Sequence, residues 1–224
     1  MARPRSTRDS PSFGDVYSVF GTAWRGASSS PVAALPPDDR EVFAPCAAAA
    51  LYAREAFASA GGFDESFFCY LEDVDLGFRL QLRGERCIQV RRAEVLHFGS
   101  VSTGRDSDFL VFHTQRNRLW VLLKNLPSPP LWLTLALQIA VVPFTVLRRP
   151  PGKWRTALKG VIAGFRGFAT VWRQRRKVQS ERVVSSLDIA KLLVWDPRKA
   201  LRQAPHFIAR PPCATDAPQA ASDA

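Results

Sequence analysis

The order of apolar and polar positions divides the chain into four segments. Residues 1–40 are interrupted by serine and proline and predict an irregular N-terminal segment. Residues 41–127 carry helical and strand periodicities, which predict a folded unit. Residues 128–182 join an apolar run to a basic, aromatic-bearing stretch, and residues 183–224 predict a partly disordered C-terminal tail.

The folded unit contains several recognisable elements. Apolar residues recur at helical spacing or in short runs, which predict helices at 52–60, 71–82 and 109–124 and strands at 87–90 and 93–97. Gly61 and Gly62 predict the end of the first helix, and Gly84 predicts the end of the second.

The segment after Pro127 has the composition of a membrane-associating region. Leu131 to Leu147 contains no charged residue, and a run of this length lies at the lower margin for a membrane span. A span, a buried helix and an interfacial helix are all open. Arg148 to Arg182 contains eleven Lys or Arg residues against one acid, interleaved with aromatic rings. This pattern predicts an amphipathic helix on an anionic membrane surface.

Charge and cysteine usage limit the partners and the compartment. The net charge of +11 and the pI near 10.3 favour an anionic partner, which could be a phosphate-bearing substrate, an acidic lipid or nucleic acid. The basic stretch from Arg173 to Lys177 suggests nucleic-acid binding. The aromatic residues near it follow an apolar run and belong to no recognisable nucleic-acid module, so this is the weakest interpretation.

The four cysteines form no C-x-x-C pair and predict reduced thiols. Residues 1–30 lack the apolar run of an export signal, and we expect the cytoplasmic face of the membrane.

Three carboxylates stand at the predicted start of the second helix. Glu72, Asp73 and Asp75 fall where exposed backbone amides and the helix dipole favour the ionised form. An ionised carboxylate is what a general base needs to take a proton from a sugar hydroxyl. Acids at a helix start also serve simply as caps, and composition alone does not choose between the two roles.

The string around these acids resembles a known family. Residues 61–79 read G-G-F-D-E-x-F-F-x-Y-x-E-D-V-D-L-x-x-R and are similar to the acceptor-side signature of family-2 glycosyltransferases, particularly the rhamnosyltransferase-like group. The resemblance implies that Asp73 is the catalytic base and that Glu72 shapes the acceptor site. It favours a structural ion pair for Asp75 and Arg79.

Two further matches extend the resemblance to about residues 40–127. By this resemblance His97, at the end of a predicted strand, corresponds to a histidine near the donor diphosphate and its metal, and a purely structural role for His97 is equally open. Arg116, followed by Asn117, resembles an arginine-asparagine helix that closes this type of domain. Arg116 could bind phosphate through its guanidinium fork, or it could form a salt bridge within the domain.

The resemblance implies an α/β fold of the GT-A, Rossmann-like type, followed by a helical membrane-associating tail. The family's donor-binding half holds Mg²⁺ or Mn²⁺ through an Asp-x-Asp motif, yet the two such motifs here, at 73–75 and 106–108, do not lie where that site is expected. Only about 40 residues precede the match. This is too few for the parallel sheet and helices of the donor-binding half, because each strand-helix-strand unit needs about 30 residues. We therefore expect an incomplete domain.

Two functions follow from the resemblance. The first is an inverting glycosyltransferase that moves a sugar from a nucleotide-activated donor to a saccharide or lipid-linked acceptor in cell-envelope polysaccharide assembly. The alternative is a non-catalytic, membrane-associated remnant that lacks donor binding. A donor-binding assay separates them.

Overall fold

The computed structural model describes residues 13–26, 36–93, 95, 107–149 and 152–208. They form a mixed structure of helices and short strands. The strands are β1 (Phe13–Tyr17), β2 (Ala23–Gly26), β3 (Arg40–Val42) and β4 (Cys87–Gln89). The helices are α1 (Arg54–Ser59), α2 (Glu72–Leu82), α3 (Asp108–Asn125), α4 (Pro130–Leu147), α5 (Trp154–Arg166), α6 (Phe168–Ser180), α7 (Ser186–Leu192) and α8 (Pro197–Arg202).

The helices and helix stops predicted in the folded unit are confirmed. The helices α1, α2 and α3 occupy the predicted positions. Gly61, Gly62 and Gly84 all have positive φ, between 65° and 86°, which only glycine adopts without strain. The hydroxyl of Ser107 caps α3 by accepting a hydrogen bond from the Leu110 amide.

The sheets are small. The strand β1 pairs with β2, and β3 pairs with β4, both antiparallel. An isolated bridge between Asp15 and Ala44 links the two pairs. The coarse prediction of an α/β structure therefore holds, while the named strand pairs of the described residues are antiparallel. The strand predicted at 93–97 lies mostly outside the described residues.

The prediction of an irregular segment over residues 1–40 is wrong for residues 13–26. These form the β1–β2 hairpin, in which Val16, Tyr17 and Trp24 are buried. The strands are four and five residues long, which is too short for alternation to stand out between serine-rich and proline-rich neighbours.

The main core draws on most of the chain. Its buried side chains come from β1, the residues after β3, α2, α3, α4 and α7, and include Tyr17, Phe43, Phe78, Leu122, Leu131 and Ile189. In the C-terminal segment, 183–224, the helix α7 contributes Ile189 and Leu192 to this core, and the partial disorder expected for this segment stays a prediction. Residues 209–224 lie outside the described part of the chain.

The helices after residue 128 pack on the folded unit. The backbone of α5 approaches α3 so closely that a methyl group on Gly160 would lie 2.5 Å from the carbonyl oxygen of Phe112. The helix α4 is long and apolar enough to cross a membrane by length and composition, and about 22% of it is buried against the protein. Length and composition alone are weak evidence for membrane association.

Candidate active site

The loop that leads into α2 has a strained backbone. Phe68, Tyr70 and Leu71 have φ angles of 62°, 64° and 66°, although none of them is glycine. Such conformations cost about 1–3 kcal/mol each and cluster at functional sites. The loop therefore needs support from the surrounding structure.

Asn117 on α3 supplies that support. Its side-chain amide nitrogen lies 3.1, 2.8 and 2.7 Å from three carbonyl oxygens of the loop, those of Phe67, Cys69 and Tyr70. Asn117 is fully buried. The amide has two hydrogens for these three acceptors, so at least one hydrogen is shared. A single side chain of α3 thus fixes the backbone that presents Glu72 and Asp73.

Arg116 reinforces the same loop. Its Nη2 donates to the carbonyl oxygen of Phe67 at 2.7 Å, and its Nε donates to Oδ1 of Asn117 at 2.8 Å. The guanidinium lies 4.4 Å from the ring centroid of Trp120, which adds a cation–π contact. Within the described residues Arg116 has no acidic partner, so the salt bridge considered from the sequence is not present there. Phosphate binding by Arg116 stays a prediction.

Asp73 stands at the start of α2 with both carboxylate oxygens oriented. Its Oδ1 accepts from the amide of Val74 at 2.9 Å, and its Oδ2 accepts from the amide of Ala47 at 3.2 Å. The side chain is partly exposed. Each oxygen has a further lone pair, so the carboxylate is held in place and can still accept a proton.

Glu72 lies beside Asp73 in a more apolar setting. Its side chain is half-buried, and Oε2 has no hydrogen-bond partner among the described residues. Burial raises the pKa of the Glu72 carboxyl above its ordinary value, and the charge of Asp73 raises it further. The two neighbouring acids therefore differ in environment, as acids with different roles do.

The carboxylate of Asp75 binds only side chains inside the protein among the described residues, as a structural residue does. Its carboxylate is fully buried and binds Arg79 at 2.8 Å, so the predicted pair is present. Lys124 donates to the same oxygen at 2.9 Å, and Asn125 donates to the other at 2.7 Å. Because both oxygens of Asp75 are engaged inside the protein, the Asp73-Val74-Asp75 sequence cannot act as a pair of metal ligands.

The structure places a third carboxyl near the site that the sequence analysis missed. Asp15 on β1 pairs through its backbone with Ala44, and its side chain is 8% exposed and 3.8 Å from Arg25. Burial raises the pKa of Asp15 to about 8, the charges of Asp73 and Glu72 act in the same direction, and Arg25 opposes them. No sequence signal marked Asp15, because its position depends on pairing between strands.

A cavity of about 470 Å³ lies on the other side of the turn whose Ala47 amide binds Asp73, and Cys46 and Ala48 of that turn line it. Asp73, Glu72 and Asp15 are not among its lining residues. Its volume is in the range of small-molecule binding sites. Its polar lining includes Arg25, Cys46, Tyr52, Gln81, Arg86 and Cys87. The hydroxyl of Tyr52 and the Nε of Arg25 have no hydrogen-bond partner in the described part of the chain. Burial, and then the charge of Asp73, raise the pKa of Tyr52.

The described residues do not offer a metal site. Among them, no three His, Cys, Asp or Glu side chains lie close enough together to hold an ion. His97, predicted to lie near the metal and the diphosphate, is outside the described residues.

Two curated proteins are similar to this chain. Both are N-acetylglucosaminyl-diphospho-decaprenol L-rhamnosyltransferases of Mycobacterium tuberculosis, from strains CDC 1551 / Oshkosh and ATCC 25618 / H37Rv, and each is 41% identical over 106 residues. The matched region takes in 45% of this chain and 34% of each relative, so the chain spans about a third of the length of these relatives. No protein-family model and no solved structure matches the chain.

The similarity agrees with the resemblance found in residues 61–79. The relatives are glycosyltransferases, and their names specify a lipid-linked sugar diphosphate. The chain is therefore similar to glycosyltransferases that act on a lipid-linked acceptor.

Proposed function

We propose that this chain forms the acceptor side of an inverting, family-2 type glycosyltransferase with a GT-A type fold. It receives a sugar from a nucleotide-activated donor and transfers it to a lipid-linked saccharide. We propose L-rhamnose as the sugar and N-acetylglucosamine on a polyprenyl diphosphate as the acceptor, and the names of the two relatives support this choice. The sugar is transferred at the cytoplasmic face of the membrane, next to anionic lipid.

One observation carries this proposal most strongly. The carboxylate of Asp73 is fixed by the amides of Val74 and Ala47 and stays partly exposed, and a strained loop braced by Asn117 leads into the helix that carries it. Maintaining several positive φ angles in a loop of non-glycine residues is costly, and such strain is kept where a side chain must be held in one place.

The proposed reaction is a single displacement. A carboxylate oxygen of Asp73 takes the proton from an acceptor hydroxyl as that hydroxyl oxygen bonds to the anomeric carbon of the donor sugar. The bond from this carbon to the nucleoside diphosphate breaks, and the diphosphate leaves with the electron pair. Attack from the opposite side inverts the anomeric centre. The reaction is balanced without an oxidant or a further reactant.

Glu72 has a different role in this scheme. Because burial and the charge of Asp73 raise its pKa, Glu72 retains a proton to higher pH than an exposed glutamate. Its Oε2 is buried without a hydrogen-bond partner among the described residues, and a small rotation of the half-buried side chain would turn it toward a hydroxyl of the acceptor sugar. We assign it to acceptor binding.

The family resemblance calls for Mg²⁺ or Mn²⁺ on the donor diphosphate. The described residues hold no group of ligands for it, so no step is assigned to a metal held by them. His97 and Arg116 stay candidates for contact with the donor diphosphate.

The test is product formation by the active enzyme that contains this chain. With a nucleotide-activated L-rhamnose donor, a polyprenyl-diphosphate-linked N-acetylglucosamine should gain one rhamnose with inverted anomeric configuration, detected by mass spectrometry and NMR. The matched control is the same lipid diphosphate carrying no sugar, which should gain none. Donor binding without transfer to any sugar acceptor, or no donor binding at all, would favour a non-catalytic membrane protein.

A further inference from the structure

The helix α4 has inverted polarity. Its outward face is apolar throughout and consists of Trp132, Leu133, Ala136, Ile139, Ala140, Pro143, Phe144 and Leu147. Ile139 is 81% exposed and Leu147 is 78% exposed. A surface helix of a water-soluble protein turns its polar residues outward. An exposed apolar face along eighteen residues indicates that something other than water covers it.

The polar side chains of α4 point inward. The hydroxyl of Thr134 donates to the carbonyl oxygen of Val19 at 2.7 Å. The side-chain amide of Gln138 donates to the carbonyl oxygen of Phe20 at 2.8 Å. Both acceptors lie in the turn between β1 and β2. Polar groups turned toward protein and apolar groups turned outward are the arrangement of a helix in contact with lipid.

The inner face of α4 holds the helix against the body along its length. Leu131 is part of the main core, and Val146 packs in a second core formed with α3 and α5. A helix of eighteen residues is about 27 Å long and a hydrocarbon core is about 30 Å thick. To cross that core, α4 would have to leave these contacts or take the β1–β2 hairpin with it. The packing therefore favours a helix that lies along the membrane surface.

The helix α5 continues the apolar surface and adds positive charge. Trp154, Leu158, Ile162 and Phe165 are exposed at spacings of three and four residues, which places them in one stripe. Arg155, Lys159 and Arg166 are exposed beside this stripe. Close packing of Gly160 and Gly164 on α3 fixes which side of α5 faces outward.

Charge complementarity identifies the occupant. From residue 109 to residue 180 the sequence has no Asp or Glu and has thirteen Lys or Arg residues. The guanidinium of Arg148 lies 5.1 Å from the ring of Phe144, and that of Arg155 lies 5.3 Å from the ring of Trp154. Aromatic rings at the interface and cations at the level of lipid phosphates are what an anionic leaflet binds.

We propose that the outward faces of α4 and α5 form one membrane-docking surface that lies flat on an anionic leaflet, with α4 in the interface and not across it. Membrane binding is inferred only from the contacts and exposed residues of α4 and α5. The purpose of this binding rests on the proposed function, because docking would bring the active site to the layer where a lipid-linked acceptor resides.

Vesicle co-sedimentation of the full chain tests this proposal. Binding should be strong to vesicles of phosphatidylcholine with phosphatidylglycerol, weak to phosphatidylcholine alone, and reduced by salt. Ile139→Glu combined with Phe165→Glu should weaken binding about tenfold or more, since two apolar anchors are lost. Leu201→Glu, on the exposed side of α8, is the matched control and should bind as the wild type does. Equal binding by both variants would overturn the proposal.

Two readouts separate docking from the alternatives. Alkaline carbonate should release the chain from membranes, and lipids brominated near the headgroup should quench its tryptophan fluorescence more than lipids brominated deep in the chains. Resistance to carbonate with deep quenching would overturn the in-plane arrangement. A stable dimer without vesicles, lost in the Ile139→Glu and Phe165→Glu variant, would assign the face to a second copy. Asp73→Asn should bind vesicles normally, so failure of catalysis and failure of docking are distinguishable.

Discussion

The side-chain amide of Asn117 donates to the carbonyl oxygen of Tyr70 at 2.7 Å, across 47 positions of sequence. This bond connects the long helix α3 to the strained loop before α2. The position of Asp73 therefore depends on a side chain of α3.

Asn117→Ala removes this brace. The carbonyl oxygens of the loop lose their buried donor, which costs about 1–3 kcal/mol in the free energy of unfolding. With Asp73 as the proposed base, displacement of its carboxylate should lower turnover about tenfold or more. Denaturant unfolding and transfer kinetics measure the two effects. Gln174→Ala on α6 is the control. Turnover in Asn117→Ala equal to that of the control would show that the loop holds its shape without Asn117.

Asp75→Asn should be one of the most destabilising single changes in the chain. It leaves Arg79 and Lys124 without their shared carboxylate in a fully buried site. Loss of one partner from such a network costs about 3–5 kcal/mol. The exposed pair of Asp188 and Lys191 provides the comparison, since Asp188→Asn should cost about 1 kcal/mol or less. Similar unfolding midpoints for the two variants would contradict the structural role of Asp75.

Asp15 should make stability depend on pH. Its pKa rises from an ordinary value of 3.8 to about 8 in the folded chain, so between these values the folded state binds a proton that the unfolded state has lost. The stability due to this proton is fully present below about pH 4 and is lost as pH rises to about 8, at close to 1.4 kcal/mol per pH unit. Asp15→Asn should flatten this slope in denaturant unfolding measured across the interval. An unchanged slope would show that Asp15 ionises normally.

Gly77 should not tolerate a side chain. A methyl group there would lie 2.3 Å from the Cβ of Ala44, next to the loop whose Ala47 amide binds Asp73. Gly77→Ala should therefore lower both stability, by about 1–3 kcal/mol, and turnover. Adding Ala44→Gly relieves the shortest contact and should restore part of both, which a double-mutant cycle measures. No coupling between the two changes would place the clash elsewhere.

Local features of the site could be predicted from the sequence. The helix α2 follows from its apolar spacing, its start is marked by acids, and glycines mark the ends of α1 and α2. The pair of Asp75 and Arg79 follows from their separation by four positions. Each of these depends on residues within one helix or turn.

Features that join distant segments could not be predicted in this way. The placement of Asp15 near Asp73 depends on pairing of β1 with Ala44, and that pairing leaves no periodic signal in so short a strand. Lys124 binds Asp75 from another helix, and Asn117 reaches carbonyl oxygens of a loop about 50 positions away. The core role of α7 also depends on packing against distant segments, because Ile189 and Leu192 join a core with residues of β1, α2, α3 and α4.

The most direct measurement of the central claim is sugar transfer by the active enzyme carrying Asp73→Asn. Asparagine keeps the shape of the side chain and cannot take the proton, so turnover should fall by a few orders of magnitude while donor affinity, measured by calorimetry, stays nearly unchanged. Asp188→Asn, an acid in the first turn of α7, should behave as the wild type does. Turnover of Asp73→Asn close to that of the wild type, or an equal loss of donor binding, would contradict the role of Asp73 as the base.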